Sequence, residues 1–214
     1  MARKGIIVSL FFLLFPPLYG ETKVFFSPDD KVTTHLVSSI KNARTKIYGA
    51  IYLITDKKIA DALIEAKNNN HVDIQIITDQ TSLDQNSNKV QYLKQNGVDT
   101  FVFKTGQNKN KYFAPLMHNK FAIIDNKVWT GSFNWTVSAN IKNKENVTVL
   151  DDEATYKKYC DQFEKLKRQC VYHPTVATEV ARRKKKAWYK KAVKNVDRFL
   201  TIIKRKLGHS NKKS

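Results

Sequence analysis

Between Met117 and Asn146 the chain gathers the side chains best suited to chemistry, in the run MHNKFAIIDNKVWTGSFNWTVSANIKNKEN. His118 and Lys120 stand at i and i+2 at the start of the apolar stretch Phe121-Ala122-Ile123-Ile124. On an extended chain that spacing sends both side chains to one face. An imidazole and an ammonium aimed at one spot suit a phosphate group. The ammonium offsets its charge, and the imidazole supplies a nucleophile or an acid. Asp125 follows at the far end of the same stretch, roughly 15 Å from Lys120 at about 3.3 Å per residue. It therefore reads as a strand-end structural partner rather than a participant in chemistry. Gly131, Ser132 and Asn134 come next, and then Glu145 and Asn146 ahead of Val147-Thr148-Val149-Leu150.

Taken singly, each of these residues has an ordinary explanation: a structural histidine, a solvated lysine, turn residues, a surface carboxylate. Their joint spacing does not. The pattern His-x-Lys-x4-Asp alone arises by chance about 0.04 times in a chain of this composition. His35, His71, His173 and His209 lack such company and read as structural or solvated. Trp129 and Trp135, which flank the Gly-Ser segment, read as core packing rather than as stacking platforms.

The elements that must position these residues alternate in type. Val24-Phe25-Phe26 reads as a strand, and apolar spacing over 31–43 predicts a helix. Residues 46–54 are β-branched and aromatic, hence a strand. Thr55 or Asp56 then caps a helix with Ile59, Ala60, Leu63, Ile64 and Ala66 on one face. Val72–Thr78 is a further strand, Asn88–Asn96 a short helix ended by Gly97, and Val98–Phe103 a strand. Residues 151–169 form a closing helix. Successive strand–helix units predict an α/β fold, a mixed β-sheet flanked by helices.

Composition bounds the rest. The chain has 214 residues, 38 Lys+Arg against 19 Asp+Glu, and a net charge of +19, with 42% hydrophobic residues. That excludes a wholly disordered chain and points toward polyanionic partners, either nucleic acid or anionic lipid. Residues 1–20 read as a signal peptide: Arg3 and Lys4, an apolar run from Gly5 to Phe15, then Pro16-Pro17. Export is expected, with a short uncleaved membrane anchor as the alternative. Cys160 and Cys170 would lie about 15 Å apart on one continuous helix, so they pair only if the chain turns back; pairing and two free thiols both stay open. No cluster has metal-ligand spacing, and no cofactor is expected.

These motifs resemble the phospholipase D superfamily, and within it the branch of small single-motif bacterial endonucleases typified by Nuc. The likeness runs from about Val24 to Cys160 and includes the Phe25-Phe26-Ser27-Pro28 opening, His118-x-Lys120-x4-Asp125, Gly131-Ser132-x-Asn134 and Glu145-Asn146. Mitochondrial cardiolipin hydrolases share the plan, so the resemblance leaves the substrate open. It implies a metal-independent phosphodiesterase working through a phosphohistidine, with two histidines at one site. A single motif per chain then implies a homodimer, with His118 of each subunit facing the other. By the same resemblance Lys120 and Asn134 would hold the phosphate oxygens and Ser132 would add a hydrogen bond. Glu145 would accept from the His118 Nδ1–H, while Asp125 and Gly131 serve the motif's structure.

Residues 174–214 depart from that plan. They carry 14 Lys/Arg against Glu179 and Asp197. Trp188, Ala192, Val196, Phe199, Leu200, Ile203 and Leu207 fall on one face of a basic amphipathic helix. Such a helix can dock its apolar face on the domain with its basic side toward nucleic acid, or lie on an anionic membrane. The expected organisation is thus a leader over 1–20, a phospholipase D-like catalytic domain over 21–173 and a helical tail over 174–214. The expected activity is sequence-non-specific nucleic-acid hydrolysis, with phospholipase D action on lipids such as cardiolipin, or a non-catalytic binder, as rivals.

Overall fold

The computed structural model describes residues 21–83, 85, 87–104, 115–173, 188, 193 and 194. The expected leader and nearly all of the expected tail helix lie outside these residues. Trp188, Val193 and Lys194 of the tail are helical, and Trp188 is 69% exposed, so its indole is not buried against the domain.

Between residues 21 and 173 the elements follow in order, among the described residues: β1 (Thr22–Ser27), α1 (Val32–Asn42), β2 (Lys46–Ile51), α2 (Lys57–Asn70), β3 (Asp73–Asp79), α3 (Gln80–Leu83), α4 (Val90–Gln95), β4 (Asp99–Phe103), β5 (Lys120–Ile124), β6 (Lys127–Gly131), α5 (Val137–Ile141), β7 (Glu145–Leu150), α6 (Glu153–Arg168) and β8 (Cys170–His173). The strands form one eight-stranded sheet in the order β1-β7-β6-β5-β2-β3-β4-β8. β2, β3 and β4 run parallel, as the helices α2 and α4 between them require, and the other pairings are antiparallel. The expected mixed α/β sheet is what the chain builds.

Both sheet faces are covered, and the period of two decides which side chain goes where. Ile47, Ile51, Ile74, Ile76, Ala122 and Ile124 face the larger core under α1 and α2. Ala50, Ile77, Phe121 and Ile123 face a smaller one with Phe163 and Leu166 of α6. Trp129 and Trp135 are buried in the larger core, as expected of packing residues. Asp56 caps α2 by accepting from the Lys58 amide at 2.9 Å.

Two features differ from the sequence reading, and a third settles an alternative it left open. β2 stops at Ile51, because the chain beyond it leaves the sheet to pair with Trp135, at the isolated Ile54–Trp135 bridge. α5 and β8 are too short, at 5 and 4 residues, for any periodicity to show. β8 turns Cys170 back along β4, yet both cysteines are free. The Cys170 thiol donates to the Leu166 carbonyl at 3.2 Å, and burial pushes its pKa up to about 11.

Candidate active site

The hairpin β5–β6 and the start of β7 carry the site. Lys120 is the first residue of β5, and His118 lies two residues ahead of it in a stretch without regular structure. At the other end of β5, Asp125 adopts φ 52° in a two-residue turn with Asn126. Its carboxylate accepts from the amides of Arg44, Thr45 and Lys46 and from the Thr45 hydroxyl at 2.7 Å. Asp125 thus ties the β5–β6 turn to the start of β2, far from His118. Burial pushes its pKa up, but these donors outweigh burial and hold it below the ordinary carboxylate value.

His118 and Lys120 meet at a residue the sequence did not single out. The Tyr52 ring lies edge-on to the His118 ring at 4.7 Å between centroids, and the Lys120 Nζ stands 5.2 Å from the Tyr52 centroid. The same Nζ donates to the His118 carbonyl at 2.7 Å. The His118 residue as a whole is exposed, but its ring is shielded on the tyrosine side. That desolvation lowers its pKa, Lys120 lowers it further and the charge of Asp79 opposes both. The Lys120 pKa is lowered by burial against the attraction of Glu145. The imidazole is therefore biased toward its neutral, nucleophilic form.

The second half of the site is pinned at two points. The Ser132 hydroxyl donates to Glu145 Oε2 at 2.5 Å and accepts from the Asn146 amide at 3.1 Å. Trp135 donates its amide to Leu53 and accepts from the amides of Thr55 and Asp56. Asn134 lies between these anchors, and its Oδ1 is buried without a hydrogen-bond partner. The fold leaves this acceptor unused, which suits a group reserved for a ligand or partner. Gly131 makes the approach of β6 to β7 possible: a Cβ there would fall 2.0 Å from the Asn146 carbonyl oxygen.

One expected contact is absent within a single chain. Glu145 does not bond the His118 ring; its carboxylate is occupied by Ser132 and by the Asn143 side-chain amide at 3.1 Å. Two residues outside the expected set also belong here, Tyr52 and the fully buried Asp79, which accepts from the Met117 amide at 2.8 Å. Only the polar ending Thr78-Asp79 directly after the buried Ile76-Ile77 of β3 could have signalled Asp79. Among the described residues no three His, Cys, Asp or Glu side chains come together in metal-binding geometry. A cleft of about 390 Å³ bounded by Lys23, Phe25, His35, Lys127 and Trp129 contains none of the expected site residues.

A family model described as "Cardiolipin synthase, PLD-like domain" matches residues 36–167, more than half of the chain. The chain belongs to the phospholipase D superfamily. Its phospholipase D-like domain is 35% identical over 139 residues to a protein named Phospholipase D from Rickettsia prowazekii. That match covers 64% of this chain and 63% of the relative, so the chain spans just under two thirds of the relative's length. Among solved structures, Nuc from Salmonella typhimurium superposes with a TM-score of 0.63 at 26% identity, covering 73% of this chain and 99% of Nuc. NucT from Helicobacter pylori gives 0.65 at 30%, covering 71% and 98%.

Proposed function

We propose that this phospholipase D-like chain is a metal-independent phosphodiesterase that hydrolyses nucleic-acid backbones with little sequence preference, using a site shared by two copies. The observation that carries the reading is the joint placement of the exposed His118 and the half-buried Lys120 on Tyr52. An open site of this kind admits a phosphodiester within a long polymer.

In this mechanism a neutral His118 attacks phosphorus. A P–N bond forms as the bond to the leaving oxygen breaks, and the symmetry mate's imidazolium protonates that oxygen. The mate, now neutral, takes a proton from water. The resulting hydroxide attacks phosphorus, the P–N bond breaks and both imidazoles are restored. Lys120 and Asn134 offset the charge that develops on the phosphoryl oxygens. Glu145 holds Ser132 in place and attracts Lys120.

The reading is tested by incubating the protein in EDTA with plasmid DNA, with RNA, and with cardiolipin or phosphatidylcholine vesicles. Nucleic-acid cleavage that vanishes in His118→Ala is expected. Loss of all turnover in EDTA would overturn the mechanism, and lipid turnover alone would select the second reading. That second reading, a phospholipase D acting on anionic lipid, is favoured by the rim beside the site. There Val137 and Ile141 are exposed apolar residues, and Lys142 and Lys144 are exposed cations. The name of the Rickettsia relative points the same way.

A further inference from the structure

We propose that Asp79, at the end of β3, is a positioning residue for His118, holding the peptide ahead of it through the Met117 amide and keeping a buried carboxylate close to the histidine. His118 belongs to residues 115–119, which have no regular structure, so no ladder of strand bonds sets its position. Two bonds do so instead. On one side, the Met117 amide donates to Asp79 Oδ2 at 2.8 Å, with the Met117 side chain buried in the α6-side core. On the other, the Asn119 carbonyl accepts from the Tyr52 amide at 2.9 Å. The ends of β3 and β2 therefore grip the residues before and after His118, while its ring rests on Tyr52.

Asp79 is itself over-determined. Its Oδ1 accepts from the Thr81 amide at 2.8 Å and from the Thr81 hydroxyl at 2.7 Å. With Met117 that makes three donors and no acceptor around a side chain that is 0% exposed. This arrangement matches an acceptor-only carboxylate and would leave an asparagine with opposed N–H groups. A serine or threonine there could not reach both sets of donors. The charged groups acting on the His118 ring are Lys120 from β5, which disfavours the imidazolium, and Asp79 from β3, which favours it; Tyr52 supplies the ring that shields it. Attack on phosphorus leaves positive charge on the nucleophilic ring, so a buried carboxylate at this position stabilises the adduct as well as its geometry.

The kinetic part of this inference rests on the proposed phosphodiesterase activity; the structural part does not. The test is Asp79→Asn in the full chain, followed by NMR titration of the His118 ring and by steady-state hydrolysis of bis(p-nitrophenyl) phosphate. The His118 ring of the variant is expected to titrate at lower pH than in the parent protein. Its kcat is expected to fall about tenfold to hundredfold with KM changed less than about twofold. Thr81→Val removes the hydroxyl donor on the other oxygen together with the 3.4 Å contact between Thr81 Oγ1 and the Tyr52 hydroxyl, while the Thr81 amide still donates to Asp79; it is expected to shift the His118 titration less than Asp79→Asn does. An Asp79→Asn protein that is folded with unchanged titration and kcat overturns the inference, even if its melting temperature drops. Should that variant not fold, hydrogen exchange of the Met117 amide in the parent protein decides: protection of about tenfold or more is expected, and exchange at the unstructured rate overturns it. A parent protein that cleaves no diester would count against the proposed function, while titration and exchange would still judge Asp79.

Discussion

The neutral bias of His118 has a sign that can be measured. Its pKa lies below the ordinary ~6.5 of histidine, so the ring stays deprotonated, and competent to attack, through neutral pH. Activity is expected to fall on both sides of an optimum, in acid as the attacking ring is protonated and at higher pH as the partner copy's ring loses the proton it must donate, and Lys120→Gln is expected to move the His118 titration upward by removing the repelling cation. A downward shift measured by NMR would contradict the contact. Asp125 makes the complementary case. Its folded pKa is held below the unfolded value, so its contribution to stability is complete above about pH 4 and is lost as pH falls through the folded value. Asp125→Asn is expected to destabilise the fold by about 1–2 kcal/mol near neutral pH, read from urea unfolding, with the difference shrinking in acid. At Gly131 the backbone of Asn146 leaves no room for a side chain. Gly131→Ala is expected to lose about 1–3 kcal/mol and to spread β6 from β7, weakening the Ser132–Glu145 bond and with it turnover.

Among the elements, short ones do the aiming. α5 has 5 residues and is capped by Thr136, whose hydroxyl accepts from the Ala139 amide at 3.1 Å. That cap begins one residue after the Trp135 anchor, so it also holds the end of the Gly131–Asn134 loop. Thr136→Ala is expected to lose about 0.5–2 kcal/mol and Thr136→Ser much less, which thermal melting would show. The long helices could be read from periodicity because α1, α2 and α6 each bury one face over several turns. α5 and β8 could not: at 5 and 4 residues neither is long enough to show a period, and β8 is held by its pairing with β4. Among the described residues β8 is an edge strand paired with β4. The early exit of β2 has the same origin, with Leu53, Thr55 and Asp56 bonded to Trp135 some 80 residues away in sequence.

For the whole molecule, the mechanism proposed above calls for a second imidazole. Among the described residues no other histidine lies beside His118: His35 stacks on Phe25 at 4.5 Å, His71 ends α2 and His173 ends β8. A site shared across a twofold axis would meet that requirement. Mixing His118→Ala protein with parent protein is expected to depress activity below the parent fraction as subunits exchange; strict proportionality would exclude a shared site. Deleting residues 174–214 is expected to weaken binding to polyanions and to flatten its salt dependence, because 14 cations leave with the segment.

Residue types and spacing named His118, Lys120, Ser132, Asn134 and Glu145 as candidates and were enough for the alternation of strands and helices and for the structural role of Asp125, because each is encoded within a few neighbouring positions. Tertiary structure alone decided that Tyr52 would join His118 to Lys120 and that Glu145 would turn to Ser132 and Asn143 rather than to the ring. It alone brought Asp79 under the peptide before the histidine. Those contacts join the ends of strands far apart along the chain, and no local pattern records which strand ends a sheet will set side by side.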